Sequence, residues 1–188
     1  MNPRIPIETE VKLRIPSTRE LASRLLALGF KLEIPAQPEQ SVLWDRGMEL
    51  FSQGCALRLR TYAGSSWITW KGPKVADPLL KIRPEIETAV TNAGAMEGIL
   101  QALGFTPVLA MEKTRALLRR EDLLACLDET PFGNYLELEG EPGVIRSTME
   151  SLDLGPELAE LRSYPTLFLE HGHASRNIPP PGSGEPEK

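Results

Sequence analysis

Soft metal-ligand chemistry is poorly provided for in this chain, which has two cysteines and two histidines in 188 residues. Cys55 and Cys126 stand far apart and in no metal-ligand spacing, so they read as small buried residues of a reducing compartment rather than as a disulfide or a zinc site. His171 and His173 form one HxH pair near the C-terminus, and two ligands without a third do not make a metal site. No apolar run approaches the roughly 18 residues that span a bilayer. Pro3, Arg4 and Pro6 ahead of a charged strand do not resemble a secretory signal, so a cytoplasmic location is expected. Net positive charge is also missing. A balance of −5 gives no general drive toward nucleic acid or anionic lipid, so a polyanion site would have to be local. At 188 residues the chain suits one well-buried core and is too short for two ordinary domains with a linker.

The elements follow from periodicity and punctuation. Residues 7–15 (IETEVKLRI) alternate as a strand. In PSTRELASRLLALGF, Ser17 or Thr18 can cap a helix whose stripe is Leu21, Leu25, Leu26 and Leu28, and Gly29 stops it. Residues 31–51 are turn-rich, with short strand candidates at 42–44 and 49–51. ALRLRTY and SSWITWKG form a hairpin around Gly64. LLKIRPEIET is a further strand, where Pro84 argues for an edge or a bulge. A second helix covers 91–103, strands resume over 105–141, a third helix is expected at 143–153, and 156–169 hold a short helical or irregular segment. Both leucine-rich helices end in Leu-Gly-Phe (28–30 and 103–105), a hint of two related halves. Residues 1–173 then form one domain, and the Pro/Gly-rich 174–188 a disordered tail.

The informative pattern is the sidedness of charge. On the first strand Glu8, Glu10, Lys12 and Arg14 share one face. Arg58 and Arg60 alternate with Leu57 and Leu59, and Lys71 ends a run in which Ile68 and Trp70 take the other face. Lys81, Arg83, Glu85 and Glu87 alternate with Leu80, Ile82 and Ile86. Lys113 and Arg115 bracket Thr114, Asp128 follows Leu127, and Glu137 and Glu139 alternate with Leu136 and Leu138. A solvated face explains any one of these strands. It explains the whole set less well, because like-charged neighbours such as Glu8/Glu10 and Arg58/Arg60 repel unless each pair holds an ion of opposite sign. Closing the sheet into a barrel turns the charges inward and leaves the apolar faces to be covered by the two leucine-rich helices. Many bases and many carboxylates around one interior suit a polyphosphate with divalent metals.

Taken in order, the motifs resemble those of the CYTH superfamily, the triphosphate tunnel metalloenzymes. They are Glu8-x-Glu10-x-Lys12, Leu57-Arg58-Leu59-Arg60, Thr69-Trp70-Lys71-Gly72, Arg83-x-Glu85-x-Glu87, Glu112-Lys113-x-Arg115, Leu127-Asp128 and Gly133-x-Tyr135-Leu136-Glu137-Leu138-Glu139-Gly140. Ser163-Tyr164 is similar to a late motif of the same family. The resemblance implies an α+β fold with an eight-stranded antiparallel β-barrel forming a tunnel and helices outside. It also implies a requirement for a divalent cation, Mg²⁺ or Mn²⁺. Its known members hydrolyse inorganic triphosphate, thiamine triphosphate or nucleoside triphosphates, cap RNA ends, or cyclise ATP as class IV adenylyl cyclases.

By the same resemblance Glu8, Glu10, Asp128, Glu137 and Glu139 are metal ligands. Arg58, Arg60, Lys71, Arg83, Lys113 and Arg115 clamp phosphates, together with Lys12. Glu85 and Glu87 add ligands or orient water, and with Lys12 they are the catalytic candidates. Lys81 and Arg14 share the right face and would fall at the tunnel mouth. Trp67 and Phe132 read as packing residues before base-stacking ones. The expected partner is a triphosphate-bearing small molecule, not nucleic acid or membrane, with a homodimer left open. Triphosphate hydrolysis ranks slightly above cyclisation, since no adenine-reading motif is visible. A non-catalytic polyphosphate-binding module and a structural β-protein with a hydrated face rank lower.

Overall fold

In the computed structural model, which describes residues 5–172, eight strands close into one antiparallel barrel. They are β1 (Ile7–Ile15), β2 (Lys31–Asp45), β3 (Ala56–Tyr62), β4 (Ser65–Lys71), β5 (Lys81–Val90), β6 (Thr106–Arg120), β7 (Leu123–Thr130) and β8 (Gly133–Glu139). Around the barrel the order is β1-β5-β4-β3-β2-β6-β7-β8, with β8 returning to β1. The helices are α1 (Thr18–Ala27), α2 (Glu49–Ser52), α3 (Ala93–Ala102), α4 (Pro142–Ser151) and α5 (Tyr164–Glu170), with a 3₁₀ turn at Pro156–Leu158. Among the described residues no helix is long and apolar enough to cross a membrane. The tail expected at 174–188, and His173, lie outside the described residues.

Alternation decides what each strand shows to which side. On β1, Val11, Leu13 and Ile15 face outward and are buried against Leu21 and Leu25 of α1 and Ile145 and Met149 of α4. A smaller core lies under α3, where Leu100 meets Trp44 and Leu59, with Val42, Ile68 and Met96 around them. The apolar core is therefore between barrel and helices, and the lumen keeps the charges. The helix boundaries are those the sequence announces. The side chain of Ser17 accepts from the Glu20 N–H, that of Asn92 from the Ala95 N–H, and Gly29 and Gly104 end α1 and α3 at φ +87° and +83°.

Three expectations change. The turn-rich 31–51 region holds one 15-residue strand, whose pairing with β6 shifts register between Leu32 and Ile34, Ile34 and Gln37, and Leu43 and Trp44. Pro35 and Pro38 lie within or beside these irregularities, where the ladder asks less of their missing N–H groups. Residues 49–51 are helical instead of extended, because the buried Asp45 carboxylate accepts from the N–H groups of Leu50 and Phe51. Pro84 sits in a closed barrel, not at an edge. It marks the point where the mapped partners of β5 change from β1 (through Pro84) to β4 (from Glu85).

The two halves hinted at by Leu-Gly-Phe are visible in the topology. Exchanging β1–β4 for β5–β8 leaves the order of neighbours around the barrel unchanged. In each half a helix ending in that tripeptide leads into a 15-residue strand, and these strands, β2 and β6, pair along the seam.

If α1 closes the outer core as described, Leu25→Ala, at a position with 0% exposure, should lower the unfolding free energy by about 2–5 kcal/mol. Urea titration checks this; a loss below about 1 kcal/mol would mean the helix is not integral to the barrel.

Candidate functional site

The lumen gathers the inward side chains into two regions of opposite character. On one side β3 and β6 contribute Arg58, Arg60, Lys113 and Arg115. Their bases are held by carboxylates from other strands: Asp128 accepts from Lys113 Nζ at 2.9 Å and from Arg115 Nε and Nη2 at 2.6 Å each. Glu87 accepts from Arg60 at 3.1 Å and from the Thr69 hydroxyl at 2.6 Å, and lies 3.6 Å from Arg58. Burial alone would lower the Arg115 pKa, but Asp128 beside it raises it well above the usual value. The contacts of Asp128 and Glu87 hold the head groups of Lys113, Arg115 and Arg60 in place.

On the other side are Glu8 and Glu10 of β1 and Glu139 of β8, with Glu10 and Glu139 facing each other in register. Lys71 Nζ lies 2.8 Å from Glu8 and 2.6 Å from Glu85, so one ammonium serves two carboxylates. Lys81 reaches Glu10 at 3.2 Å. No ion pair is found for Glu139 among the described residues. Burial, then the hydrogen bond with Glu85, push the Glu8 carboxyl up to about 7. Partial enclosure in the tunnel wall, then Glu8 and Glu10, push Glu139 up to about 7, although it opens to solvent at the end of its strand. This end of the lumen thus holds carboxylates in excess of their cations.

Such a surplus of hard oxygen donors is the chemistry a divalent cation fits. The side chains are not drawn into a finished centre: among the described residues no group of three or more His, Cys, Asp or Glu is gathered in ligating geometry. Charge excess, not a preformed cage, is the observation that favours a cation here.

Lys12 lies between the two regions. It is 2% exposed, and its ammonium donates to the Arg162 carbonyl at 3.2 Å and lies 3.7 Å from Glu137. Burial pushes its pKa down to about 7; Glu137 opposes the shift while Lys81 and Lys113 add to it. Glu137 itself is drawn toward Arg115 at 2.6 Å. Burial alone would raise its carboxyl, but Lys113, Lys12 and Arg115 hold it well below the usual range.

The sequence-derived candidates therefore divide. Glu8, Glu10 and Glu139 share the acidic region, while Asp128 and Glu137 are engaged with Arg115 on the basic side. Arg83 directs Nε to the Gly72 carbonyl at 2.9 Å and Nη2 to the Gly54 carbonyl at 3.3 Å, tying loops together at the rim. Lys81, expected at the mouth, is buried at 7% exposure. Cys126 is buried and Cys55 partly so, both as free thiols; burial pushes the Cys126 pKa up to about 12, so it stays protonated. Trp67 lies under the Arg60 guanidinium at 5.0 Å, and Phe132 packs edge-on against Phe168 and stacks on His171.

Two residues were not singled out for the lumen. Glu39 was concealed by the two prolines that made its strand look like turns. Tyr164, first residue of α5, donates its hydroxyl to Asp128 at 2.5 Å. The ammonium groups of Lys12 and Lys113 lie over its ring at 3.6 and 4.0 Å. The Ser163-Tyr164 motif was the only signal for it.

Comparison with known proteins bears on this arrangement. A family profile described as "CYTH domain" matches residues 6–155. A Methanocaldococcus jannaschii protein named "Putative adenylate cyclase" is 34% identical over 137 residues, covering 71% of this chain and 76% of that one. A solved structure from Vibrio parahaemolyticus with the same description superposes with a TM-score of 0.77 at 19% identity, covering 88% of this chain and 99% of the other. A Hippeastrum protein described as a "putative adenylyl cyclase" with a dominant triphosphatase activity gives 0.68 at 20% identity, covering 87% and 96%. At these identities the two structures speak for the fold alone.

The carboxylate excess has a pH signature. Because the folded-state pKa of Glu139 is raised from 4.5 to about 7, its contribution to stability is present below about pH 4.5 and lost as pH rises through 7. In EDTA, Glu139→Gln should therefore melt a few degrees above wild type at pH 8 and level with it near pH 5. Equal melting temperatures at both pH values would mean that Glu139 is fully compensated.

Proposed function

The chain belongs to the CYTH domain family, and from that premise we propose that it is a divalent-metal-dependent enzyme acting on triphosphate-bearing small molecules inside its barrel. Hydrolysis of inorganic triphosphate, thiamine triphosphate or a nucleoside triphosphate is the leading reaction. The observation that carries this reading is the pairing of bases held in place on β3 and β6 with carboxylates on β1 and β8 that outnumber the lysines serving them. Residues 1–173 are taken as the single catalytic domain.

In this reading Arg58, Arg60, Lys113 and Arg115 bind phosphoryl oxygens, the guanidinium groups in bidentate fashion. Asp128, Glu87 and Glu137 keep those bases aimed into the lumen. Asp128 and Glu137 are thereby assigned a positioning role, and Glu8, Glu10 and Glu139 are the residues that would hold Mg²⁺ or Mn²⁺. A cation there would neutralise phosphoryl charge and activate the attacking oxygen. Lys71 stands at the boundary, shared by Glu8 and Glu85, where its ammonium would bind a phosphoryl oxygen. Lys12, with its pKa near neutrality, can hold or give up a proton at Nζ beside the reacting phosphate. In hydrolysis the nucleophile is water, attacking in line while the bases spread the developing charge.

Cyclisation of ATP is the second reading, favoured by the 34% identity to a protein named as an adenylate cyclase. It would use the same basic wall, with the ribose 3′-hydroxyl as nucleophile at the α-phosphorus and pyrophosphate leaving.

The test is a screen of inorganic triphosphate, thiamine triphosphate and ATP, each with Mg²⁺, with Mn²⁺ and in EDTA, reading phosphate release and cyclic AMP. Metal-dependent turnover of at least one is expected, and none with either metal would sink the enzyme reading. Glu10→Gln and Arg58→Ala should each reduce kcat by about 100-fold or more while the thermal transition stays near wild type. A collapse of the melting temperature instead would mean those charges serve the fold.

A further inference from the structure

β2 brings into the lumen one carboxylate for which the triphosphate reading has no stated use. Glu39 is 2% exposed, and its Cα pairs with Lys113 on β6 and Tyr62 on β3. Its Oε1 lies 3.6 Å from Lys113 Nζ, and its Oε2 lies 3.6 Å from Arg115 Nε and 3.7 Å from Arg60 Nη1. None of these is a hydrogen bond. Oε2 is buried without a hydrogen-bond partner, and so are the Nε atoms of Arg58 and Arg60.

That spacing is unusual for a buried anion among bases. Charge-assisted contacts ordinarily close to about 2.7–2.9 Å, and Asp128 closes to 2.6–2.9 Å on the same Arg115 and Lys113. Asp128 holds those two bases from one side and Glu87 holds Arg60 from another, so Glu39 remains just out of reach. It therefore adds a negative charge to the basic wall without occupying the donors that a phosphate would use. The charge is permanent at working pH. Burial alone would raise the carboxyl, but Arg115, Lys113, Arg58 and Arg60 hold its pKa down at about 2.

We propose that Glu39 is a resident counter-charge that weakens the grip of the basic wall on polyphosphate and so lets a charged product leave. The inference rests on the reading of Arg58, Arg60, Lys113 and Arg115 as the phosphate-binding wall. A phosphoryl group seated among those bases feels attraction from each and repulsion from Glu39. The repulsion grows with the number of phosphoryl charges, so it discriminates most against the longest anions. Without it the wall would retain inorganic tripolyphosphate or pyrophosphate as a trapped ligand.

Titration calorimetry at low salt in EDTA, with inorganic tripolyphosphate, pyrophosphate and orthophosphate as probes, tests this. Glu39→Gln should bind tripolyphosphate about tenfold or more tightly than wild type, with a smaller gain for orthophosphate. Glu33→Gln removes the same charge from an exposed pair with Arg119 and should stay within about twofold of wild type. Binding by Glu39→Gln at or below wild-type strength overturns the proposal, as does an equal gain in Glu33→Gln. If Glu39→Gln has no cooperative thermal transition in buffer, tripolyphosphate should restore one, and failure to do so also overturns it. Absence of tripolyphosphate binding by wild type would instead remove the phosphate-wall reading beneath it.

Discussion

Taking charges out of water is tolerable only where each meets an opposite charge, and the interior of this barrel is organised by that requirement. Isolated burial of any one of Lys12, Lys113, Arg115 or Asp128 would cost several kcal/mol. Each is therefore placed against a neighbour from another strand: Lys12 near Glu137, Lys113 and Arg115 on Asp128. Because the lumen cannot collapse into an apolar core, the hydrophobic driving force must be found outside the barrel. That is why Val11, Leu13 and Ile15 meet α1 and α4 rather than one another across the lumen. The helices are thus a condition of the charged interior, not an addition to it.

Neutralisation is complete on one side only. Around Asp128 the bases are matched and their partners pinned. Around Glu8, Glu10 and Glu139 the acids outnumber what Lys71 and Lys81 can serve. A protein selected for stability alone would replace one of these with an amide, and functional sites commonly keep such costs. The excess belongs where a second, positively charged species would complete the site.

Legibility followed the regularity of the backbone. β1, β3, β4 and β8 keep strict alternation, so their inward residues could be read off with their sign. β2 could not, because its prolines and shifting register imitate loop chemistry, and Glu39 was hidden along with it. The strands expected over 105–141 open with one 15-residue strand, β6, which carries Lys113 and Arg115 on the same inward face. The division of the carboxylates into matched and unmatched sets was also invisible. Alternation gives the face of a side chain, but only register and closure say which cation it meets. Asp128 and Glu139 look alike in sequence and differ in the structure because one lies beside Arg115 and the other opposite Glu10.

The strand order is unchanged when the two halves are exchanged, so the β3–β4 hairpin of one half corresponds to the β7–β8 hairpin of the other. These equivalent hairpins lie across the lumen from each other. One carries Arg58, Arg60 and Lys71, the other Asp128, Glu137 and Glu139. A doubled scaffold has thus been given opposite signs on its matching parts. Two like copies would have left the electric potential at the axis even from wall to wall. Inverting one copy replaces repulsion between the facing walls with attraction, while register gives Asp128 and Glu137 their nearest cation in Arg115 of β6.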